Sequence, residues 1–146
     1  MPELKTEKEI KALQDQADKA KVSEIRADKI MNSVVTTIYE STKIYMAVQT
    51  LALKRISGAP VVNNADKLVG VISEYDLLIQ AATKDLKETV QFTKNVVSAT
   101  PATTLKELIL MFHKTKVRWM PVVSQEQRVI GIITRLDILK ALMPHA

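Results

Sequence analysis

The sequence has no cysteine and only two histidines, His113 and His145, among its 146 residues. Without cysteine the chain can form no disulfide, no thiolate metal site and no cysteine nucleophile. The two histidines lie far apart and outside any chelating pattern, which argues against a histidine metal site. Only three glycines are present, and no glycine-rich phosphate loop, Gly-x-Ser-x-Gly motif or other catalytic constellation occurs. We therefore expect no metal ion, no required cofactor and no enzymatic activity.

Long apolar runs are also lacking. The longest, such as Val129–Ile133, fall far short of the ~20 residues that a membrane-spanning helix needs, and no signal peptide is recognisable. The chain is therefore predicted to be soluble and cytoplasmic. Aromatic residues make up only 4% of the sequence, so a core must be built mainly from aliphatic side chains. A chain of this length forms one ordinary domain or two very small ones.

The formal net charge of +5 is unevenly distributed along the chain. Residues 1–26 and residues 27–81 are each balanced, whereas residues 88–146 hold eight basic and four acidic side chains. A mild surplus of this kind favours an anionic ligand, because a nucleic-acid footprint usually requires a dense basic stripe. A nucleic-acid binder is therefore the less favoured interpretation.

The chain contains an internal repeat with a constant shift of 61 residues. Residues 27–81 can be laid over residues 88–142 without a gap, giving nine identities in 55 pairs. An apolar stripe at helical spacing recurs in both copies. The identical pairs include Pro60/Pro121, Val61/Val122, Val62/Val123, Gly70/Gly131, Ile72/Ile133, Asp76/Asp137 and Leu78/Leu139. Such agreement predicts two copies of one structural unit.

Each copy predicts the element order β-α-β-β-α, and the fold class is therefore α+β, with the two units packed together and an extra N-terminal helix. We divide the chain into an N-terminal helical segment (1–26), a first repeat (27–81), a linker (82–87) and a second repeat (88–146). The predicted elements are strands at Val34–Thr37 and Val96–Ala99, helices at 42–55 and 103–116, hairpins at 59–73 and 120–134, and closing helices at Glu74–Ala82 and Arg135–Met143.

The N-terminal segment lies outside the repeat. Thr6 and Glu9 have the spacing of a capping box, which predicts a helix start. Apolar residues are sparse in this segment. It is therefore interpreted as a surface helix with one narrow buried seam, or alternatively as a helix that pairs with another subunit.

Ser73 and Thr134 each stand where an apolar strand ends and a helix begins, with Asp76 and Asp137 three residues later. One interpretation is a capping box, worth ~1 kcal/mol and needing no ligand, although Asp is short for its reciprocal half. The other is a ligand site. The free N–H groups of a helix start can bind phosphate, while a carboxylate accepts hydrogen bonds from ribose hydroxyls. Both interpretations stay open at this stage.

The segments Gly70–Leu78 and Gly131–Leu139, each with a Pro-Val-Val run that begins ten residues earlier, resemble a pair of CBS motifs, the tandem unit also called a Bateman module. The resemblance covers about residues 25–143. It implies two pseudosymmetrically packed repeats with ligand clefts between them. It also implies a regulatory sensor that binds AMP, ADP, ATP or S-adenosylmethionine.

The resemblance also implies roles for individual residues. The hydroxyls of Ser73 and Thr134 would lie near phosphate, and Asp76 and Asp137 would bind ribose. Thr36 and Ser98 are candidates for contacts with the base. The candidates for the adenine lining are the residues around the two prolines, namely Ala59, Pro60, Val61, Met120, Pro121 and Val122.

Arg118 and Arg135 are further candidates for contacts with phosphate, because a guanidinium offers a fork of donors. The corresponding positions in the first repeat are Ser57 and Glu74. On the assumption that each arginine serves its own repeat, the cleft of Thr134 and Asp137 is predicted to bind a phosphorylated ligand more tightly. Trp119, next to Arg118, is interpreted as a packing anchor or, alternatively, as a stacking platform for the base.

The resemblance implies a homodimer formed through helices, and the apolar faces that carry Ile44 and Leu105 are candidates for this contact. A protein effector is a further possible partner, since the sequence shows no effector domain. The main alternative is a structural or interaction module whose clefts stay empty. A nucleic-acid binder is the second alternative.

Overall fold

The computed structural model describes residues 6–143, with the backbone alone for residues 14–21. Within the described residues the strands form one three-stranded sheet in the first repeat and one two-stranded sheet in the second. No helix within the described residues is long and apolar enough to cross a membrane. The elements in chain order are α1 (Glu7–Ser23), α2 (Ala27–Ile30), β1 (Ile38–Tyr39), α3 (Ile44–Lys54), β2 (Gly58–Val62), β3 (Leu68–Ser73), α4 (Glu74–Thr83), α5 (Leu105–Thr115), β4 (Trp119–Val123), β5 (Val129–Thr134) and α6 (Arg135–Leu142).

Each repeat is built around an antiparallel hairpin, as predicted. β2 pairs with β3 and β4 pairs with β5 in the same register, with Gly58 opposite Ser73 and Trp119 opposite Thr134. Both hairpins shift register at the second valine of the Pro-Val-Val run. The hairpins also meet each other, because a single bridge joins Lys67 to Arg128. The predicted α+β fold with two related repeats is therefore confirmed.

The helices that precede the hairpins end in the same way in both repeats. α3 and α5 lie within the predicted ranges and stop where Arg55 and Lys116 adopt left-handed backbone conformations, with φ of 55° and 62°. A left-handed residue turns the chain out of a helix and towards the next strand. The two helices therefore deliver the chain to β2 and β4 in equivalent positions.

The first strand of each repeat differs from the prediction. In the first repeat it lies at Ile38–Tyr39 rather than Val34–Thr37, and in the second it is reduced to one parallel bridge from Ala99 to Val122. The physical reason is a crossing of the chain between repeats. Residues 33–37 lead from a bridge between Asn32 and Ile132, in the second repeat, to β1 in the first. They therefore span the gap between sheets and join no ladder.

The first residues of each repeat pack on the opposite repeat. Asn32 and Ile132 exchange two backbone hydrogen bonds of 2.9 Å, and Thr93 and Val71 do the same. These pairs are related by the 61-residue shift, so the crossing is itself duplicated. Each repeat thus supplies an edge strand residue to its neighbour, which holds the two units together as one body.

The core consists of two hydrophobic clusters, one in each repeat. Val90 and Phe92, from the start of the second repeat, pack in the first cluster, whereas Ala27 and Met31, from the start of the first repeat, pack in the second. α1 begins where Glu9 N–H donates to Thr6 Oγ1 at 3.2 Å, as the capping spacing predicts. Val22, in the last turn of α1, packs on the hydrophobic cluster of the second repeat.

Ile44 and Leu105 have no exposed surface, because each is the first residue of its helix and points into its own cluster. Neither side chain can therefore form the predicted dimer contact itself. The apolar side chains that α3 and α4 leave exposed are others. They are Tyr45, Met46, Val48, Leu53, Tyr75, Leu78 and Ile79.

Candidate functional site

A cleft of about 520 Å³ lies between the two repeats, where the end of β3 faces the start of β4. We call it the Asp76 cleft. This volume falls in the range of small-molecule sites, and the lining combines apolar walls with a few charged groups. From the first repeat it is lined by Ser57, Val71, Ile72, Ser73, Glu74, Tyr75 and Asp76; from the second, by Asn95, Val97, Lys116, Val117, Arg118, Trp119 and Pro121.

Ser73 and Asp76 form a complete capping box at the start of α4. Asp76 N–H donates to Ser73 Oγ at 3.1 Å, and Ser73 N–H donates to Asp76 Oδ2 at 3.4 Å. Asp is therefore long enough for both halves of the box, contrary to the expectation from its length. The long reciprocal bond is a weak one. The Asp76 carboxylate is thus held only loosely by its own helix.

Thr134 and Asp137 form the equivalent box at the start of α6, with a tighter geometry. Asp137 Oδ2 accepts from Thr134 N–H at 2.8 Å and from Thr134 Oγ1 at 3.0 Å, while Asp137 N–H donates to Thr134 Oγ1 at 3.2 Å. The Thr134 hydroxyl is therefore used within the box. A ligand at this end would have to compete with these contacts for both side chains.

The basic side of the Asp76 cleft comes from the second repeat. Lys116 and Arg118 lie on the stretch between α5 and β4 and face the helix start at Ser73. Arg118 therefore lines the cleft of the opposite repeat, whereas the prediction assigned it to the cleft of its own repeat, with Thr134 and Asp137. Lys116 is not among the site residues predicted from the sequence. It has a left-handed backbone conformation at the end of α5 and lines the cleft.

Arg135 is held by the backbone rather than directed into the Asp76 cleft. Its Nε donates to the carbonyl of Val117 at 3.2 Å, and its Nη2 donates to the carbonyl of Lys116 at 3.2 Å. Two of its five donors are therefore occupied, and they fix the stretch that carries Lys116 and Arg118. The equivalent residue in the first repeat, Glu74, has no donor and cannot make these bonds.

Trp119 crosses from the second repeat to the first at the edge of the cleft. A Cβ atom placed on Gly58 would lie 2.9 Å from the indole Nε1 of Trp119 and 2.9 Å from the carbonyl oxygen of Ile72. Position 58 therefore has no room for a side chain. Trp119 is half-buried and also lines the cleft, so it packs between the repeats and borders the site at once.

The remaining predicted residues are placed as follows. Pro121 lines the cleft, but Ala59, Val61, Met120 and Val122 have no exposed surface and lie behind it, in the two hydrophobic clusters, and Pro60 is also buried. Thr36 and Ser98 are half-buried on the extended stretches that open each repeat. Val97, next to Ser98, lines the cleft instead.

Asn95 and Val97 line the cleft but are not among the residues predicted from the sequence. The one sequence feature that points to this stretch is its equivalence, under the 61-residue shift, to the stretch that carries Thr36. The 61-residue shift relates Val97 to Thr36, so the expectation for Thr36 already pointed to this position. The resemblance implies Ser98 as a contact of the base because it lies on the first extended stretch, whereas the backbone alternation of such a stretch exposes its neighbour Val97 to the cleft.

A second concave surface lies on the outside of the first repeat, between α3 and α4. This groove of about 500 Å³ is mainly apolar, with Val48, Leu77 and Leu78 among its lining and Arg55 and Glu74 at its charged positions. Leu78 is 66% exposed, which is a large apolar exposure for one helix of a small protein.

The tandem repeats, the crossed connections and the cleft between the units define a module of two related repeats, each with a helix, a hairpin and a closing helix. The family model described as "CBS domain" matches residues 22–82 and again residues 86–144. The chain therefore belongs to the CBS domain family, as the motif resemblance indicated, and it carries two copies of the domain in tandem.

Relatives and solved structures agree with this assignment. The chain is 37% identical over 116 residues to inosine-5'-monophosphate dehydrogenase of Methanocaldococcus jannaschii, a match that covers 79% of this chain but only 23% of that enzyme. The chain likewise spans 41% of the length of the relative MJ1225 from the same organism, at 36% identity. The first relatives are thus longer proteins that share this module.

Two solved structures of similar fold contain adenosine ligands. One is CBSX2 in complex with AMP, with a TM-score of 0.71, 27% identity, and coverage of 80% of this chain and 95% of that one; CBSX2 is a protein of Arabidopsis thaliana. The other is the CBS domain pair of protein MJ0100 with 5'-methylthioadenosine and S-adenosyl-L-methionine. It has a TM-score of 0.69, 27% identity, and coverage of 79% and 93%.

Proposed function

We propose that this chain is a regulatory module, not an enzyme, and that it binds an adenosine-containing ligand in the Asp76 cleft. The observation that carries the proposal is the composition of this cleft. A helix start with a free carboxylate oxygen, from the first repeat, faces two cations from the second. Proteins of the same fold hold AMP, 5'-methylthioadenosine and S-adenosyl-L-methionine.

The chemistry of the cleft suits each part of such a ligand. Only Oδ2 of Asp76 takes part in the capping box, so Oδ1 can accept hydrogen bonds from the two ribose hydroxyls. Lys116 and Arg118 can pair with a phosphate, and the start of α4 adds backbone N–H groups and a partial positive charge. Apolar walls formed by Val71, Val97 and neighbouring residues suit the flat base.

Ligand binding would act by shifting the population of arrangements of the two repeats. Ser73 and Asp76 belong to one repeat, and Lys116 and Arg118 belong to the other, so a ligand that contacts both sides favours the arrangement in which they are close. A protein that reads this arrangement would receive the signal. The ligand therefore acts as an effector and undergoes no reaction.

The second part of the proposal is a homodimer through the helical faces. Family members pair through their helices, and the apolar residues that α3 and α4 leave exposed, such as Val48 and Leu78, supply a suitable surface. A dimer would bury side chains that otherwise contact water, which is the main driving force of such association.

The primary test is a thermal-shift panel on the full chain with AMP, ADP, ATP, S-adenosylmethionine, GTP and a DNA duplex, followed by calorimetry on any ligand that stabilises it. A ligand that binds only the folded state raises the unfolding midpoint by mass action. Stabilisation by at least one adenosine compound, without an equal effect of GTP, is the expected result. No shift with any compound would favour a structural module with empty clefts.

The nucleic-acid alternative gives a different outcome in the same panel. A nucleic-acid binder would bind the duplex, and its affinity would fall steeply as salt rises, because counterions are released from the phosphates. Lys116 and Arg118 lie in a cleft beside Glu74 and Asp76, not on an open basic stripe. We therefore expect the duplex to bind weakly, and we expect the affinity for adenosine compounds to depend less steeply on salt than duplex binding does.

A further inference from the structure

The two repeats differ most at the point where they meet. Gly58 and Trp119 are equivalent under the 61-residue shift, yet one is the smallest residue and the other the largest. The indole lies against Gly58, with its Cζ2 atom 3.0 Å from the place where a Cβ would stand. Trp119 also borders the Asp76 cleft, whereas Gly58 has no side chain with which to border the equivalent surface.

The charged residues differ in the same direction. Lys116 and Arg118 line the Asp76 cleft, and the backbone that carries them is fixed by two hydrogen bonds from Arg135. The equivalent residues in the first repeat are Arg55 and Ser57, and Arg55 lines the outer groove between α3 and α4. The equivalent pair in the first repeat therefore contains one cation instead of two.

The aspartates differ as well. Asp137 is held by two hydrogen bonds of 3.0 Å or less, whereas among the described residues the carboxylate of Asp76 accepts a single bond, 3.4 Å long. The indole of Trp119, the two cations and the more loosely held carboxylate of Asp76 thus all lie in the same cleft.

We infer that the chain binds one phosphorylated adenosine ligand, in the Asp76 cleft, with Trp119 as the aromatic wall against which the base packs. This inference rests on the proposed function and names the occupied site and its specificity. Stacking of a base on an aromatic side chain contributes enough that its removal weakens binding by roughly fivefold or more. Arg118 would account for the preference for AMP over uncharged adenosine.

The test uses the full chain, and AMP as the probe. Trp119 is the only tryptophan, so AMP should change its fluorescence in a saturable manner. Calorimetry should give one AMP per chain. Asp76→Ala should abolish binding, whereas Asp137→Ala, which removes the same half of the equivalent capping box, should leave it within about threefold. Trp119→Leu should weaken AMP binding roughly fivefold or more, and Trp119→Phe should restore most of it.

A charge variant tests the specificity. Arg118→Ala should weaken AMP by roughly tenfold and adenosine much less, because a lost hydrogen bond between charged groups affects only the phosphorylated ligand. Circular dichroism and the unfolding midpoint of each variant confirm that it is folded. Two AMP molecules per chain, binding that survives Asp76→Ala, or an unchanged affinity in Trp119→Leu would overturn the single-site inference while leaving the proposed function intact. If no adenosine compound binds at all, the proposed function itself fails.

Discussion

The ring of Phe92 packs directly on Gly70, so closely that a methyl group on this glycine would collide with it and would lie 2.5 Å from the carbonyl oxygen of Thr93. Met31 packs on Gly131 in the same way in the other repeat. Neither glycine has a positive φ. Both glycines are therefore required by the close approach of a crossing segment and not by an unusual backbone conformation.

This packing predicts the effect of adding one methyl group. Gly70→Ala should destabilise the protein by about 1–3 kcal/mol, because overpacking forces a shift of the Phe92 ring and of backbone that is part of a ladder. Gly131→Ala should cost less, since the nearest atoms there belong to the flexible side chain of Met31. Urea unfolding of the two variants checks the order, and an equal or reversed order would contradict the packing argument.

The crossing segments predict where the N-terminus can be shortened. Deletion of residues 1–21 should leave the unfolding midpoint nearly unchanged, whereas deletion of residues 1–32 should destabilise the second repeat strongly. The longer deletion removes Met31 and Ala27 from the hydrophobic cluster and breaks the bridge from Asn32 to Ile132. Thermal unfolding measures both. A shorter deletion that is as damaging as the longer one would show that α1 itself stabilises the fold.

The two capping boxes predict matched losses of stability. Ser73→Ala and Thr134→Ala each remove a side chain that accepts from the backbone N–H three residues later, at 3.1 and 3.2 Å. Each substitution should therefore cost about 1 kcal/mol in the free energy of unfolding. Denaturant titration in the absence of ligand gives this value. In the presence of AMP, only Ser73→Ala should also reduce the ligand-induced stabilisation; an equal reduction in both variants would place ligand at both helix starts.

Buried and exposed apolar positions predict different defects. Ile44→Ala should lower the free energy of unfolding by about 2–5 kcal/mol, because Ile44 has no exposed surface and its removal leaves a cavity. Leu78→Glu changes a side chain that is 66% exposed, so it should leave the fold intact and place a charge in the proposed dimer interface. Light scattering should report a monomer for Leu78→Glu at a concentration at which the unmodified chain is a dimer. A dimer that persists in this variant would exclude the α3–α4 face as the contact.

The duplication, the hairpins and the helix starts can be predicted from the sequence alone. These features depend on residues close together in the chain or on a constant shift, as in the pairs Gly70/Gly131 and Asp76/Asp137. A helix cap needs only residues three apart, and a hairpin needs only two apolar runs and a turn. Their physical causes are local, and the sequence pattern therefore contained them.

Which repeat completes each side of the cleft follows from long-range packing alone. Arg118 and Lys116 face Ser73 and Asp76 of the other repeat because the first residues of each repeat cross to its neighbour. Pairing between units some sixty residues apart leaves no periodic signal, since its energy comes from packing and backbone hydrogen bonds that any apolar segment could supply. The same reason applies to Ile44. An amphipathic pattern assigns this residue to an apolar face but does not show which residues cover that face, so its burial is seen only in the folded structure.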